Sequence, residues 1–233
     1  MLTVRGLRAW YGQAQILFDA DFAVGPGEVV ALLGRNGAGK STTFKAIAGL
    51  LDRCEGSITF QGAEFAKEPP HRRCRRGLAI VPEERRIFTD LTVDENLEVG
   101  RQARRPGVPA WTQDRLFALF PSLGAMRTRR GGLMSGGEQQ MLTVARALMG
   151  NPSLVLLDEP SEGLAPKVVE DMARAILAMK AEGLSLLLSE QNLHFARLIA
   201  DRAVVLDRGH VRFAGTLDEL TADRALCEKY LSV

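Results

Sequence analysis

The sequence predicts an α/β fold built on a mostly parallel β-sheet, with an antiparallel β region at the N-terminus and an inserted helical segment. Three observations support this prediction. Short apolar runs alternate with stretches of helical spacing, which is the pattern of parallel strands joined by helices. Residues 2–33 instead alternate and turn like a small β region, and residues 93–150 show helical patterns. We therefore expect the β region and the helical segment to be additions to a parallel core.

The N-terminal β region is predicted from a period of two. Five apolar residues alternate with other residues and define one strand face, which we expect to be buried: Ile16, Phe18, Ala20, Phe22 and Val24. The sequence Gly25-Pro26-Gly27 ends this strand. Residues 28–33 then form an apolar run with the length of a short buried strand.

The remaining elements follow in chain order. After a helix at 42–49, strands are expected at 56–62, 77–82, 154–157, 185–188, 203–206 and 211–213. Helices are expected at 167–181, 193–200 and 217–231, and turns at 104–109 and 131–132 interrupt the helical segment. The last two strands, joined by a turn at 207–209, are expected to form a closing hairpin.

A glycine-rich loop between the strand at 28–33 and the helix at 42–49 has the composition of a phosphate-binding loop. Its glycines let consecutive backbone N–H groups face one anion, and the following helix adds the positive end of its dipole. Lys40 can reach the terminal phosphates, and the Ser41 hydroxyl can bind Mg²⁺. The loop therefore predicts nucleoside triphosphate binding through these residues: Gly34, Arg35, Asn36, Gly37, Ala38, Gly39, Lys40, Ser41 and Thr42.

Two carboxylates follow the apolar strand at 154–157, at the end where open α/β sheets place their ligands. Asp158 is positioned to hold Mg²⁺, and Glu159 is the candidate base for the attacking water. The alternative is a strand that ends in a solvated acidic turn. For an isolated Asp-Glu pair the two interpretations are equally favoured, but the phosphate-binding loop upstream favours the Mg²⁺-binding interpretation.

A second candidate anion site opens the apolar helix that begins near residue 136. A serine and two glycines at a helix N-terminus present free N–H groups, and the residues concerned are Ser135, Gly136, Gly137 and Glu138. A capping box, in which Glu138 reaches back to the N-cap, is the favoured interpretation of this segment alone. It does not explain why one chain would carry two such helix starts.

Together these motifs resemble those of the ATPase subunit of an ATP-binding-cassette (ABC) transporter, over essentially the whole chain. Gly34–Ser41 matches the Walker A motif, Leu154–Glu159 the Walker B motif and Ser135–Gln139 the signature motif. The resemblance implies a head-to-tail dimer, in which Ser135 and Gly137 of one subunit contact the γ-phosphate of ATP held by the other. That arrangement would account for the second anion site.

The resemblance also implies a domain organisation and a set of partners. Residues 1–233 would form one P-loop NTPase domain, with a RecA-like core and β subdomain at 1–92 and 151–233 and a helical subdomain at about 93–150. The cofactors would be ATP and Mg²⁺. The partners would be a second ABC ATPase subunit, identical or different, transmembrane permease subunits and, indirectly, a solute-binding protein. The expected location is the cytoplasmic face of the cell membrane.

Further assignments follow from the resemblance. Tyr11 matches the aromatic residue that stacks on adenine, and the alternative is a half-buried strand tyrosine. Glu83 stands where the family usually has a glutamine that senses Mg²⁺ and the attacking water. Ala165 replaces the usual aspartate of the loop that crosses the dimer interface. Gln191 occupies the position of the switch histidine, and an amide cannot carry the charge of an imidazolium.

Several motifs resemble one of the two ATPases of branched-chain amino acid importers. They are Val81–Glu83 with Arg85–Phe88, Met134–Gln140, Gly163–Pro166 and Glu190–Asn192. Importers of urea or short amides are close alternatives, because Gly34–Gly37 and Ser161–Gly163 favour them slightly. An exporter ATPase is a further alternative, and a cassette ATPase acting on DNA or the ribosome is less favoured.

Composition is that of an ordinary globular protein. Of 233 residues, 46% are hydrophobic and 25% charged, and the net charge of +2 gives no indication of nucleic-acid binding. Three scattered cysteines predict reduced thiols. No run approaches the roughly 20 apolar residues of a membrane span, and the N-terminus lacks the apolar core of a signal peptide. Membrane association is therefore expected through partners.

Two surface segments allow alternative interpretations. The basic stretch 71–76 could contact lipid headgroups or a permease loop, but a solvated helix face is favoured. Ile87 and Phe88 lie in the region where the family forms a groove for a cytoplasmic helix of the permease. Docking of a partner and packing beneath the helices are equally favoured for these two residues.

Overall fold

The computed structural model describes residues 1–108 and 110–231. The ten strands in these residues are β1 Leu2–Tyr11, β2 Ala14–Val24, β3 Val29–Leu33, β4 Arg53–Phe60, β5 Ala63–Glu64, β6 Leu78–Val81, β7 Leu154–Asp158, β8 Ser185–Glu190, β9 Arg202–Asp207 and β10 His210–Thr216. The α-helices are α1 Lys40–Ala48, α2 Pro70–Arg75, α3 Val93–Gly100, α4 Gln113–Leu119, α5 Pro121–Gly124, α6 Gly136–Leu148, α7 Pro166–Ala181, α8 Leu193–Ile199, α9 Leu217–Ala222 and α10 Arg224–Tyr230. A 3₁₀ turn covers Gly131–Leu133.

The strands form two sheets, and the predicted α/β class is confirmed. One sheet has four antiparallel strands in the order β2-β1-β4-β5. The other has six strands in the order β10-β9-β3-β8-β7-β6, in which only β10 pairs antiparallel to its neighbour among the described strands. The predicted hairpin of the last two strands is therefore present, and the segment between β6 and β7 contributes α3 to α6.

Strand β3 lies at the centre of the larger sheet and is buried on both faces. Because side chains alternate along a strand, Val29, Ala31 and Leu33 join one core and Val30 and Leu32 join the other. The first core packs against α6, α7 and α8, and the second against α1 and the antiparallel sheet. The strand that leads into the phosphate-binding loop is thus held by packing on both faces.

The predicted buried face of β2 is correct for three of its five residues. Ala20, Phe22 and Val24 are buried, but Leu17 is buried in place of Ile16 and Phe18. An extra residue in β2 shifts its pairing with β1 between Ala20 and Leu17, and Asp19 has a left-handed φ of 49°. This bulge changes the phase of the period-two pattern.

Two further predictions require correction or fall partly outside the structure. The C-terminal helix expected at 217–231 is broken, because Asp223 leaves the helical region and caps α10 by accepting a hydrogen bond from Leu226 N at 2.9 Å. The predicted turn at 104–109 includes Pro109, which lies outside the described residues. The last two residues of the predicted domain, 232 and 233, also lie outside them.

No helix in the described residues combines the length and the apolar character needed to cross a bilayer.

Candidate active site

The glycine-rich loop lies between β3 and α1, and its lysine points back into the loop. The Lys40 side chain is buried, and its Nζ donates hydrogen bonds to the carbonyl oxygens of Gly34 at 2.8 Å and Arg35 at 3.3 Å. Gly39 is the N-cap of α1 with a φ of 110°, which a residue with a side chain rarely adopts. The loop therefore encloses the lysine ammonium group and leaves the first turn of α1 facing the same space.

The turn between β9 and β10 fixes the back of this loop. Gly209 N donates to Ala38 O at 2.8 Å, and Gly209 O accepts from Phe18 N at 2.9 Å. A Cβ atom on Gly209 would collide with the carbonyl oxygen of Ile16, so a glycine is required there. One residue thus joins the phosphate-binding loop, the antiparallel sheet and the hairpin.

Asp158, at the end of β7, lies beside the first turn of α1. Ser41 Oγ donates to Asp158 Oδ1 at 3.3 Å, and Ser189 Oγ donates to the same oxygen at 2.6 Å. Burial raises the pKa of Asp158 above its ordinary value, although the hydrogen bonds from Ser189 and Ser41 oppose the rise. Ser189 of β8 therefore helps to hold Asp158 Oδ1 beside the Ser41 hydroxyl.

This pair of oxygens fits a Mg²⁺ ion. Mg²⁺ is usually bound by one or two protein oxygens, with water and substrate phosphates completing its coordination. Among the described residues, no cluster of three or more His, Cys, Asp or Glu side chains could hold a metal ion alone. Glu83, the third predicted metal residue, is exposed in the loop after β6.

Glu159 is held by contacts at both its backbone and its side chain. Its φ of 47° is left-handed, and its N–H donates to Ser189 Oγ at 2.9 Å. Its Oε1 lies 3.1 Å from Lys40 Nζ, and its Oε2 accepts a hydrogen bond from Gln191 Nε2 at 2.9 Å. The side chain is 8% exposed. A strained backbone at a buried carboxylate is typical of functional sites.

Opposing effects set the pKa of Glu159. Burial alone would raise it, but the hydrogen bonds from Glu162 and Gln191 and the charge of Lys40 outweigh burial and lower the pKa below its ordinary value. The group is therefore a carboxylate at neutral pH when no nucleotide is bound.

Gln191 connects two of the predicted site segments. Its Nε2 donates to Glu159 Oε2 at 2.9 Å and to Asn36 Oδ1 at 2.7 Å. The amide NH₂ group has two N–H donors, so it can bind an acceptor on the phosphate-binding loop and one on the Glu159 side chain at the same time. The structure thus brings Lys40, Asn36, Glu159 and Gln191 into one cluster.

Two acidic residues of this region were missed by the sequence analysis. Glu162 forms a hydrogen bond with Glu159, which raises the pKa of Glu162 to about 7, with burial and the charges of Glu159 and Glu83 contributing. Glu190 is 2% exposed, burial raises its pKa, and it accepts a hydrogen bond from Ser161 N at 3.2 Å. The spacing of three residues between Glu159 and Glu162 was the available signal.

Tyr11, the predicted adenine contact, ends β1 and is 46% exposed. Lys45 Nζ lies 5.9 Å from the centroid of its ring. Tyr11 is thus a strand tyrosine with about half of its surface exposed, which agrees with both interpretations. Adenine stacking at this ring remains a prediction.

The second predicted anion site lies at the start of α6. Ser135 Oγ accepts from Glu138 N at 3.4 Å, and Glu138 Oε2 accepts from Ser135 N at 2.7 Å, which completes a capping box. In the part of the chain that the structure describes, no hydrogen bond or ion pair links Ser135, Gly136, Gly137 or Glu138 to the phosphate-binding loop. These four residues would need a second subunit to act on the nucleotide.

A groove of about 520 Å³ lies between α1, α2, β6 and α6. Three of its apolar side chains are exposed, namely Leu50 at 51%, Phe88 at 46% and Val99 at 56%. Ile87, in contrast, is half-buried and packs against the core. Phe88 therefore agrees with the docking alternative, and Ile87 agrees with the alternative of packing beneath the helices.

The basic stretch 71–76 contains one residue that is not solvated. Arg73 is 3% exposed and donates to the carbonyl oxygens of Ala46 at 2.9 Å and Ile47 at 2.7 Å, which caps the end of α1. The neighbouring residues of α2 are mostly exposed, as the favoured interpretation of this stretch requires.

Comparison with known proteins identifies relatives over the full length of the chain. The family model described as ABC transporter matches residues 17–162, more than half of the chain. The high-affinity branched-chain amino acid transport ATP-binding protein BraG of Pseudomonas aeruginosa is 40% identical, covering 99% of both chains. The probable branched-chain amino acid transport ATP-binding protein LivF of Archaeoglobus fulgidus is 38% identical, covering 94% of both.

Relatives and structures from other settings also match. The lipopolysaccharide export system ATP-binding protein LptB of Haemophilus influenzae is 33% identical, covering 99% of this chain and 97% of the relative. A solved structure of the ATP-binding subunit of an ABC transporter has a TM-score of 0.83 at 32% identity, covering 100% of this chain and 96% of that one.

Proposed function

This chain belongs to the ABC transporter family of ATPases, and we propose that it is the ATP-hydrolysing subunit of an importer for branched-chain amino acids. The observation that carries the solute class is the 40% identity to BraG over 99% of both chains. The motifs Val81–Glu83 and Glu190–Asn192, which depart from the usual family residues, support the same subfamily.

Two alternatives have specific support. The match to LptB at 33% identity supports an exporter ATPase, because a cassette can serve transport in either direction. Glu162, within Ser161–Gly163, supports an importer of urea or short amides. A cassette acting on nucleic acid has no such observation in its favour.

In the proposed mechanism, Lys40 and the N–H groups of Gly37–Ser41 bind the phosphates of ATP. Ser41 and Asp158 would hold Mg²⁺, which supplies positive charge to the phosphates. Glu159 accepts the proton of the attacking water, because it is a desolvated carboxylate beside the terminal phosphate. Gln191 orients Glu159 through the 2.9 Å hydrogen bond, and Glu83 would sense the metal from the loop after β6.

Hydrolysis is proposed to take place between two cassettes arranged head to tail, identical or different. The residues Ser135, Gly136, Gly137 and Glu138 of one subunit would then face the γ-phosphate held by the other. ATP stabilises the closed dimer and hydrolysis reopens it, so the difference in affinity between the two states drives transport.

The exposed groove formed by Leu50, Phe88 and Val99 is the proposed docking surface for the permease subunits. Isolated exposed apolar residues are common, but three around one groove indicate a partner. Through this contact the chain would lie at the cytoplasmic face of the membrane, with a solute-binding protein acting on the permeases.

The test is recovery of partners with the tagged chain from detergent-solubilised membranes, with identification by mass spectrometry. We expect two permeases and a second cassette ATPase, together with stimulation of ATP hydrolysis by leucine, isoleucine or valine and the accompanying binding protein. Stimulation by urea instead would favour the amide alternative. Recovery of ribosomes or nucleic acid would contradict a transport function.

A surface variant makes this experiment specific. Phe88→Ser should lose the permeases, whereas Leu177→Ser removes a side chain of similar exposure, 43%, from α7 and should retain them. Equal recovery of permeases by both variants would contradict docking at the groove.

A further inference from the structure

The loop between β6 and α3 contains two consecutive arginines in a strained backbone conformation. Arg85 has a φ of 62° and Arg86 a φ of 48°. Arg86 N donates to Glu84 O at 2.6 Å, which closes a three-residue turn around Arg85. Such left-handed residues are uncommon outside glycine and are energetically unfavourable, so surrounding contacts must maintain them.

Helix α6, which begins with the signature motif, provides those contacts. Thr143 Oγ1 donates to Arg85 O at 2.7 Å, and Arg146 Nη2 donates to Arg86 O at 2.6 Å. Both hydrogen bonds are accepted by backbone oxygens, so they do not determine the contacts of the two arginine side chains. The loop is therefore attached to the signature helix at two successive residues.

The Arg85 guanidinium lies directly over the backbone of Gly136. A Cβ atom on Gly136 would come within 2.6 Å of Arg85 Nη1 and 3.3 Å of Nη2. Arg85 is half-buried, and its side chain lines a shallow depression together with Glu83 and Gln139. A cation is thus packed against the first residue of α6.

This cation has no counterion in the part of the chain that the structure describes. No carboxylate oxygen there lies within 4.0 Å of the Arg85 guanidinium, whereas Arg86 pairs with Glu84 at 3.3 Å. The start of a helix carries positive potential, so a guanidinium held beside it is repelled unless an anion is also present. The acidic residues of the depression do not supply that anion through a direct ion pair.

We propose that Arg85 is a further catalytic residue that binds the γ-phosphate of the ATP held by the opposing cassette, next to Ser135 and Gly137. This inference rests on the head-to-tail dimer of the proposed function. A guanidinium presents two parallel N–H groups that match phosphate oxygens. An arginine supplied by a second subunit stabilises the charge that the transferring phosphoryl group carries.

The test compares four versions of the transporter complex purified through the tagged chain: the unmodified chain, Arg85→Ala, Arg85→Lys and Arg86→Ala. Steady-state ATP hydrolysis gives kcat and KM, and a fluorescent ADP analogue gives the affinity of each isolated chain. Arg86→Ala is the matched control, because it removes the same charge from the same strained turn.

Arg85→Ala is expected to lower kcat about tenfold or more, a smaller loss than the roughly 10³–10⁵-fold contribution of an arginine finger, because Ser135 and Gly137 would still contact the same γ-phosphate. ADP affinity should be unchanged, because ADP lacks the γ-phosphate. Arg85→Lys should recover part of the loss, since it keeps the charge but not the paired N–H groups. Arg86→Ala should match the unmodified chain.

Three results would overturn the role of Arg85: an unchanged kcat in Arg85→Ala, an equal loss in Arg86→Ala, or a parallel loss of ADP affinity. Recovery of the unmodified chain without permeases would contradict the proposed transport function instead. Sedimentation of the four full-length chains with ATP would then decide the role of Arg85, with weaker ATP-dependent dimerisation of Arg85→Ala alone as the supporting result.

Discussion

Glu159 is the residue on which the proposed chemistry depends, and its side chain is shared between Lys40 and Gln191. Glu159→Gln keeps the shape and removes the base, so we expect retained ATP binding and a turnover lower by about a hundredfold or more. A coupled assay for ATP hydrolysis and a fluorescent-nucleotide titration measure the two quantities.

The control for this substitution is Glu170→Gln, which makes the same chemical change at an exposed position of α7. Its turnover should equal that of the unmodified chain. Near-normal turnover in Glu159→Gln would remove Glu159 from the mechanism.

Glu162 makes stability depend on pH. Its pKa is raised from 4.5 to about 7 in the folded chain, so the folded state holds this proton more tightly than the unfolded state. The stabilisation is fully present below about pH 4.5 and is lost as the pH rises through about 7. We expect Glu162→Gln to lose less stability than the unmodified chain between pH 5 and pH 8.

Urea unfolding of the nucleotide-free chain at pH 5, 6, 7 and 8 measures this difference. The two curves should diverge most steeply between about pH 5 and pH 7, the range between the two pKa values, and run parallel above about pH 8. Parallel curves over the whole range would show that Glu162 does not carry the proton.

At the residue level, the sequence was sufficient to predict the location of side chains that lie near the ends of strands. Lys40 ends the loop that follows β3 and Asp158 is the last residue of β7, and parallel strands end at one edge of the sheet. The contact between Glu162 and Glu159 was missed, because a spacing of three residues brings the two side chains together only when the left-handed backbone at Glu159 folds the turn back on itself.

At the level of elements, Asn96 of α3 holds the loop that carries Phe88. The side chain is fully buried, accepts from Phe88 N at 3.0 Å and donates to the carbonyl oxygens of Phe88 at 3.0 Å and Leu91 at 3.1 Å. Asn96→Ala leaves these backbone groups unpaired and should lower the free energy of unfolding by about 1–3 kcal/mol.

Permease recovery should fall in the same variant, because Phe88 loses its fixed position. Denaturant unfolding and the membrane pull-down measure the two effects, with Gln113→Ala on α4 as a control for polar truncation. Full stability in Asn96→Ala would contradict the anchoring role.

Elements with a regular period were predicted well, and irregular ones were not. The strand β7 and the helix α7 have the expected positions within a residue or so. In β2, one bulge at Asp19 reversed the face of the preceding residues, because a period-two pattern carries no record of an inserted residue.

At the level of the whole molecule, Gly209 joins both sheets to the phosphate-binding loop. Gly209→Ala combines a φ of 78° with a collision against Ile16 O, so we expect a loss of about 2 kcal/mol or more in unfolding free energy. Nucleotide affinity should fall as well, because Ala38 loses its support.

Gly183→Ala provides the matched comparison, since Gly183 has a similar φ of 83° and no atom within 4 Å of an added Cβ. It should lose about 1 kcal/mol through backbone strain alone, with nucleotide affinity intact. Thermal and denaturant unfolding compare the two, and equal losses would contradict the proposed link.

The sheet architecture was predictable because strands and helices alternate along the chain. The contact of Gly209 with Ile16 and Ala38 was not, because it joins segments far apart in sequence and depends on the absence of a side chain. Sequence patterns describe which faces are buried, whereas such close approaches become visible only when the segments are assembled.

The ion pair between Lys40 and Glu159 makes the proposed catalytic carboxylate a competitor of ATP for the same ammonium group. To bind Lys40, a phosphate group of ATP must first displace the Glu159 carboxylate. This displacement lowers the affinity of Lys40 for phosphate. Neutralising Glu159 removes this competition for Lys40. ATP binding in Glu159→Gln would therefore be supported by two effects, the loss of hydrolysis and the release of Lys40. ADP, which is not hydrolysed, isolates the effect of the released lysine.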